Sequence, residues 1–317
     1  MRRSEPGAGC AATLNFHSRR SSARHEKWVT QCMLVLAVWL LMTCSIVAAN
    51  ADSDMPGRED TICGPIKERI VFWMWSRMAP SPNPARATGN QNIEAIFFVT
   101  GDGKKLSGYK YRAHDQGGKP VEAKGYVLMA LGNAMIADQM IGELSRYAAA
   151  GYDAYIFDYR GYGLSQGKRR INAIIEDYRE IVSDLNSTYQ RKLLYGVSLG
   201  GMVMMNVIGS GVEFDAAVID SAPSRLSTYG CPQRIDPVNH LTEAAAPKTL
   251  FITGKRDQVL GPKDTRELRE KGAALGAATV DDEYFAHPYM DESYEVQLRR
   301  SRLVEDYLLN RAPEHVN

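Results

Sequence analysis

Short apolar runs recur along the chain, and from the third run onward they alternate with helical stretches. The runs predict strands at residues 92–99, 108–114, 125–131, 153–158, 191–196, 215–220 and 248–253. Strands that alternate with helices in this way indicate a mostly parallel sheet. The first two runs are joined across Asp102-Gly103, a turn that favours an antiparallel hairpin. The pattern therefore predicts an α/β fold with a doubly wound, mostly parallel sheet and an antiparallel hairpin at its start.

The amino-terminal residues follow a different pattern. Residues 1–27 are polar and basic, whereas residues 28–51 contain no charged side chain and end in Ala49-Asn50-Ala51, a small-x-small sequence. This order is typical of an export signal, so we expect residues 1–51 to be a signal peptide and the protein to be periplasmic or secreted. The alternative is a membrane anchor at residues 28–51, because that stretch is long enough to span a bilayer. The basic residues before it would leave the rest of the chain outside the cytoplasm in either case.

Composition limits the classes of partner. The 38 basic and 37 acidic residues nearly cancel, which gives no sign of nucleic-acid binding. Histidines and cysteines are scattered without the spacing of a metal site, so neither a metal nor another cofactor is expected. Residues 52–90 are rich in proline, glycine and charge, and we interpret them as an amino-terminal extension that packs on a catalytic domain at residues 91–317.

Two cysteines remain beyond the expected signal peptide, Cys63 and Cys231. An even pair in a chain bound for an oxidising compartment favours a disulfide bond. The bond would tie the segment before the sheet to the loop after the sixth strand. Two unrelated buried thiols are the alternative, because sequence does not show that the sulfur atoms meet.

The sequence Gly196-Val197-Ser198-Leu199-Gly200 lies between an apolar strand and a helical stretch. A serine at the apex of such a turn is forced into a strained conformation that exposes its hydroxyl group at the end of the sheet. We interpret Ser198 as a nucleophile, and the backbone N–H of Leu199 as a donor to the developing oxyanion. In the alternative interpretation, the serine only caps the helix.

A nucleophilic serine needs a base, and the base needs an acid that orients it. The predicted acid is Asp257, just after the strand at 248–253, and Asp220 at the end of the preceding strand is the rival. His287 is the predicted base, because His315 lies close to the end of the chain. The other candidates are weaker: His240 is the fallback, and His114 lies on an early strand, where we expect it at the surface.

Leu131-Gly132-Asn133-Ala134 follows the third strand, and Asp158-Tyr159-Arg160-Gly161-Tyr162-Gly163 follows the fourth. With the turn around Ser198, these stretches resemble the α/β-hydrolase superfamily, especially its lysophospholipase-like and thioesterase-like members with small lids. The resemblance covers about residues 92–309 and implies that the backbone N–H of Asn133 is the second oxyanion donor. The chain departs from that pattern at Leu131, where these relatives often have a histidine that braces the loop.

The lid of this fold usually lies between the sixth and seventh strands, but here that connection is only about residues 221–247. We therefore expect a minimal lid. The predicted function is an exported serine hydrolase that cleaves acyl esters or thioesters, with a small-molecule or lipid ester as its substrate and no cofactor. Membrane association would come from the amino-terminal segment. The alternatives are a non-catalytic binding module with this fold, or acyltransferase or haloperoxidase chemistry on the same scaffold.

Overall fold

Eight strands form one sheet in the computed structural model, which describes residues 57–311. The strands are β1 Ile93–Val99, β2 Lys105–Tyr111, β3 Gly125–Ala130, β4 Asp153–Phe157, β5 Arg191–Val197, β6 Ala216–Asp220, β7 Thr249–Gly254 and β8 Ala278–Asp282. Their order across the sheet is β1-β2-β4-β3-β5-β6-β7-β8. β2 pairs antiparallel with β1 and with β4, and every other pairing is parallel.

The central strands show why the sheet is doubly wound. Every residue of β3, β4, β6 and β7 is buried. Because successive side chains of a strand point to opposite faces, complete burial requires that both faces of the sheet are covered. The helices that supply this cover are α1 Lys67–Met78, α2 Ala137–Met140, α3 Ser145–Ala149, α4 Ile171–Thr188, α5 Leu199–Ile208, α6 Pro237–His240, α7 Pro262–Ala274 and α8 Tyr294–Leu309. The predicted fold class is confirmed.

Two details of the sheet differ from the sequence prediction. β2 begins at Lys105, three residues before the predicted start, because pairing with β1 extends through the polar residues Lys105 and Ser107. β8 was absent from the predicted strands. It is an edge strand whose residues are exposed or half-buried and end in two aspartates, so it has no apolar run to reveal it.

The amino-terminal extension is tied to the loops at the carboxyl edge of the sheet. Cys63 forms a disulfide bond with Cys231 in the loop after β6. Ser76 on α1 accepts a hydrogen bond of 2.7 Å from Arg169, which follows β4. The backbone N–H of Asn83 donates to Asp138, which follows β3. Since β3 and β5 lie between β4 and β6, the extension passes the ends of the two central strands.

The described residues lie within one compact unit that holds the whole sheet and its core, which is what independent folding requires. Within residues 57–311, no helix is both long enough and apolar enough to cross a bilayer. The predicted signal peptide or anchor at residues 1–51 and His315 lie outside the described residues.

Candidate active site

Ser198 occupies the turn between β5 and α5 in a strained conformation, with φ at 52°. Gly196 and Gly200 make this turn possible. A Cβ atom on Gly196 would lie 2.6 Å from the Gly200 carbonyl oxygen, and one on Gly200 would lie 2.1 Å from the Ala130 carbonyl oxygen. The Ser198 N–H donates a hydrogen bond of 2.8 Å to the Asp220 carbonyl oxygen. The turn that carries Ser198 is therefore fixed by close packing of β5 and α5 and by the end of β6.

Asp257 and His287 are brought together at the same edge of the sheet. The distance between His287 Nδ1 and Asp257 Oδ2 is 2.8 Å, and both side chains are buried. Asp257 Oδ1 accepts hydrogen bonds from the N–H groups of Val259 at 2.9 Å and Leu260 at 2.8 Å. Burial raises the pKa of Asp257, but the hydrogen bond with His287 and the two N–H donors outweigh burial, so its pKa is lowered. Asp257 is thus an ionised carboxylate that can orient an imidazole.

Asp220, the rival acid, lies at the end of β6 and is fully buried. Its Oδ1 accepts a long hydrogen bond of 3.4 Å from the Ser221 hydroxyl group, and its Oδ2 has no hydrogen-bond partner among residues 57–311. Burial raises the pKa of Asp220 to about 6, although the positive charge of Arg300 acts in the opposite direction. Of the two candidate acids, Asp257 is therefore the one that is hydrogen-bonded to His287.

The other histidines in the described part of the chain have backbone partners. His240 Nε2 lies 2.9 Å from the Arg234 carbonyl oxygen, and His114 Nδ1 lies 2.8 Å from the Asp115 carbonyl oxygen. His240 follows β6 in α6, and His114 lies just beyond β2 rather than within it. Neither side chain contacts Asp257 or Asp220.

The backbone before His287 is held by Asp291, which precedes α8, and by Arg300, which lies in α8. The N–H of Ala286 donates a hydrogen bond of 2.8 Å to Asp291, and its carbonyl oxygen accepts one of 2.6 Å from Arg300. The Arg300 guanidinium also lies 4.3 Å from the ring centre of Phe285 and 3.9 Å from Asp220 Oδ1. Arg300 therefore links the histidine loop to the end of β6, where the Ser198 N–H is also bound.

The loop after β3, which carries the predicted second oxyanion donor, is tied to the loop after β4. The Tyr159 hydroxyl donates a hydrogen bond of 2.6 Å to the Leu131 carbonyl oxygen. The Tyr162 hydroxyl lies 3.3 Å from Asn133 Oδ1. Leu131 itself is fully buried, so at this position the loop is braced by tyrosines rather than by a histidine side chain. Asn133 follows β3, and Leu199 begins α5 after the neighbouring strand β5.

Sequence reasoning missed several residues of this region. Arg300 and Asp291 carry charges that look solvated in sequence, and their burial depends on the position of α8 against the sheet. Asp158 was recognised only as part of the stretch after the fourth strand; it accepts a hydrogen bond of 2.7 Å from the N–H of Ala137 and so joins the loops after β3 and β4. Only the even pair of cysteines, Cys63 and Cys231, indicated in the sequence that the amino-terminal extension lies at this edge of the sheet.

Comparison with known proteins finds a matching family model and similar sequences. The model of the family described as Hydrolase_4, serine aminopeptidase S33, matches residues 122–235. The uncharacterized protein YfhR of Escherichia coli K12 is 26% identical over 195 residues, which cover 56% of this chain and 67% of YfhR. The YfhR protein of Salmonella typhi is 25% identical over 225 residues, covering 62% and 74% of the two chains.

Two solved structures are similar in fold. The Pyrococcus furiosus esterase Pf2001 has a TM-score of 0.56 at 17% identity, covering 74% of this chain and 97% of the esterase. XC6422 of Xanthomonas campestris, described as an α/β serine hydrolase without lid, has a TM-score of 0.54 at 14% identity, covering 71% and 97%. The sheet order, the strained serine turn and these structural similarities show that this chain has the α/β-hydrolase fold.

Proposed function

We propose that this protein is an exported serine hydrolase that cleaves carboxylic esters with Ser198, His287 and Asp257. The observation that carries the proposal is the buried hydrogen bond between His287 and Asp257, at the same sheet edge as Ser198. The three residues follow β5, β8 and β7, which run parallel, and the carboxyl ends of parallel strands meet at one edge. An orienting carboxylate, an imidazole and a strained serine are the parts that acyl transfer requires.

The reaction starts with attack of Ser198 Oγ on the ester carbonyl carbon, while His287 Nε2 accepts the hydroxyl proton. Asp257, bound to Nδ1, holds the imidazole in the tautomer whose Nε2 is free and stabilises the imidazolium. The N–H groups of Leu199 and Asn133 bind the oxyanion. His287 then gives the proton to the leaving alcohol. Water, activated by the same imidazole, releases the acid and restores the serine.

Esters are the proposed substrate class, and the similarity to the Pyrococcus furiosus esterase supports this choice. The family described as a serine aminopeptidase supports amide bonds as the second candidate. Both substrates pass through the same acyl-enzyme, and the ester has the better leaving group. Thioesters, which share that chemistry, are the remaining hydrolytic candidate.

Export is supported by two independent observations. The sequence of residues 1–51 has the order of a basic region, an apolar stretch and a small-x-small site. The disulfide bond between Cys63 and Cys231 is a bond that persists in oxidising compartments and is rare in the cytosol. The periplasm or the medium is therefore the proposed location.

The test is hydrolysis of a panel of acyl esters, acyl thioesters and aminoacyl amides by purified residues 52–317. Ester hydrolysis is expected to exceed the other two, and Ser198→Ala is expected to lose on the order of 10⁴-fold or more in kcat. Ser221→Ala is the matched control, because Ser221 also follows a central strand directly and also has a positive φ, of 51°. Equal activity in the two variants would contradict the mechanism. An acceptor alcohol or peroxide preferred over water would favour acyltransferase or haloperoxidase chemistry.

A further inference from the structure

The exposed side of α1 combines apolar and basic residues in one stripe. Ile66, Ile70 and Trp73 are 70%, 38% and 57% exposed and are spaced four and three residues apart, so they lie on one side of the helix. Arg69 and Arg77 are exposed on this side as well. Neither arginine has a carboxylate within ion-pair distance among residues 57–311, and the Arg77 guanidinium lies 5.5 Å from the Trp73 ring centre. The opposite side, with Val71 and Phe72, is buried in the protein.

The same edge of the sheet carries more exposed apolar side chains. Leu164 lies in the loop after β4, Val259 in the loop after β7, and Met290 in the loop after β8. Val259 follows Asp257 by two residues and donates its N–H to that carboxylate. The N–H of Met290 donates to the His287 carbonyl oxygen. We call this set the apolar rim: Ile66, Ile70, Trp73, Leu164, Val259 and Met290.

Large exposed apolar side chains on a soluble domain mark interaction surfaces when they are grouped. The apolar rim is grouped by topology, because its loops all leave the carboxyl edge at which Ser198 lies. α1 is fixed to that edge by the Cys63–Cys231 disulfide bond and by the hydrogen bond from Arg169 to Ser76. The apolar rim therefore lies at the same edge of the sheet as the candidate active site, and α1 is held there by a covalent bond.

We propose that the apolar rim and the two arginines of α1 dock the protein on an anionic phospholipid surface, which presents a lipid ester to Ser198. This proposal rests on the proposed ester hydrolase function for its substrate. The chemistry of α1 fits a lipid surface: a tryptophan and isoleucines enter the acyl boundary while unpaired arginines meet anionic headgroups. In the sequence, the uncharged stretch at residues 28–51, which is long enough to span a bilayer, ends fifteen residues before α1 begins.

The first test measures binding without catalysis. Residues 52–317 carrying Ser198→Ala are sedimented with vesicles of phosphatidylcholine alone, or of phosphatidylcholine mixed with phosphatidylglycerol. Binding is expected only to the anionic vesicles and is expected to weaken with salt. Arg77→Glu is expected to weaken it about fivefold or more, from about 1 kcal/mol for each basic side chain near such a surface. Trp73→Ser is expected to weaken it as well.

The matched controls are Phe97→Ser and Arg302→Glu. Phe97 lies on the edge strand β1 and is 58% exposed, close to the value of Trp73, and Arg302 is an exposed arginine of α8. Both control variants are expected to bind vesicles like the parent. Absence of binding, equal binding to both vesicle types, or equal losses in test and control variants would overturn the proposal. A change from dimer to monomer in Trp73→Ser, without vesicle binding, would show instead that the rim joins two copies.

The second test uses the active serine and keeps this proposal separate from the hydrolase function. It measures the ratio of hydrolysis rates for an ester in anionic vesicles and for a short soluble ester. Trp73→Ser is expected to lower the ratio several-fold, and Phe97→Ser is expected to leave it at the parental value. An unchanged ratio in Trp73→Ser would overturn the docking surface even if ester hydrolysis is robust. A parent protein that does not hydrolyse the soluble ester would instead contradict the proposed function.

Discussion

β6 and β7 lie side by side, and an aspartate follows or closes each strand at the same edge of the sheet. Both carboxylates are buried, yet their surroundings differ. Asp257 accepts hydrogen bonds from two backbone N–H groups and from His287. Asp220 has one long hydrogen bond, and one of its oxygen atoms has no partner within the described part of the chain.

The difference shows that burial alone does not decide the charge of a carboxylate. Burial raises the pKa of both groups, but only at Asp257 do donors outweigh it and lower the pKa. The donors come from the short turn after β7, which folds back so that the N–H groups of Val259 and Leu260 face the carboxylate. The loop after β6 turns away through Ser221 and supplies no backbone donor to Asp220.

The largest effect on kcat is expected when the charge of Asp257, rather than that of Asp220, is removed. Asp257→Asn is expected to lower kcat for ester hydrolysis about 10⁴-fold, because an amide cannot hold the imidazole in its working tautomer. Asp220→Asn is expected to keep kcat within about tenfold of the parent, since Asp220 has no hydrogen bond with His287. Steady-state kinetics of the two variants measure both effects. The reverse order of losses would make Asp220 the orienting acid.

The pH dependence of stability is the next test of the comparison. With its pKa raised to about 6, Asp220 binds a proton in the folded state at a pH where it is ionised in the unfolded state. Its ionisation therefore lowers the free energy of unfolding as pH rises from about 4 to 6. A rise of the Asp220 pKa from 3.8 to about 6 corresponds to about 3 kcal/mol in the free energy of unfolding. As pH rises from 4 to 7, the free energy of unfolding of Asp220→Asn should increase by about that amount relative to that of the parent.

Urea denaturation of the parent and of Asp220→Asn across this pH range gives the difference directly. Subtracting one curve from the other removes the contributions of all other titrating groups. One of these is Asp102, whose pKa is lowered by the guanidinium of Arg160, so its ionisation increases stability as pH rises. A difference that is flat from pH 4 to 7 would show that Asp220 has an ordinary pKa.

A smaller effect is expected at Arg300, which joins the two regions by contacts with Asp220 and with the backbone before His287. Arg300→Lys removes the planar guanidinium that donates to the Ala286 carbonyl oxygen and stacks on Phe285. We expect about a tenfold fall in kcat with little change in KM, since the loss is in the position of the imidazole. Arg299→Lys is the control, because the Arg299 guanidinium also lies over Phe285, 4.7 Å from the ring centre, but it pairs with Asp282 rather than with the Ala286 carbonyl oxygen. Equal kinetics in the two variants would assign Arg300 a purely structural role.

The sequence predicted most of the fold because the apolar runs and the glycines at Gly196 and Gly200 reflect local geometry. The order of Ser198, Asp257 and His287 along the chain also led to a pair of side chains that the structure brings together. Arg300 and Asp291 were not predicted, because their roles depend on where α8 packs. Ser76 and Asn83 position the amino-terminal extension by contacts with loops that are distant in the sequence, and no local sequence pattern predicts such contacts.

The most direct test of the account is labelling of residues 52–317 by a fluorophosphonate, which reacts with an activated serine. The account predicts labelling of the parent and of Asp220→Asn, and none of Ser198→Ala, His287→Ala or, at matched times, Asp257→Asn. Labelling that persists in Ser198→Ala, or a folded parent that does not react, would contradict the assignment of Ser198 as a nucleophile activated by His287 and Asp257.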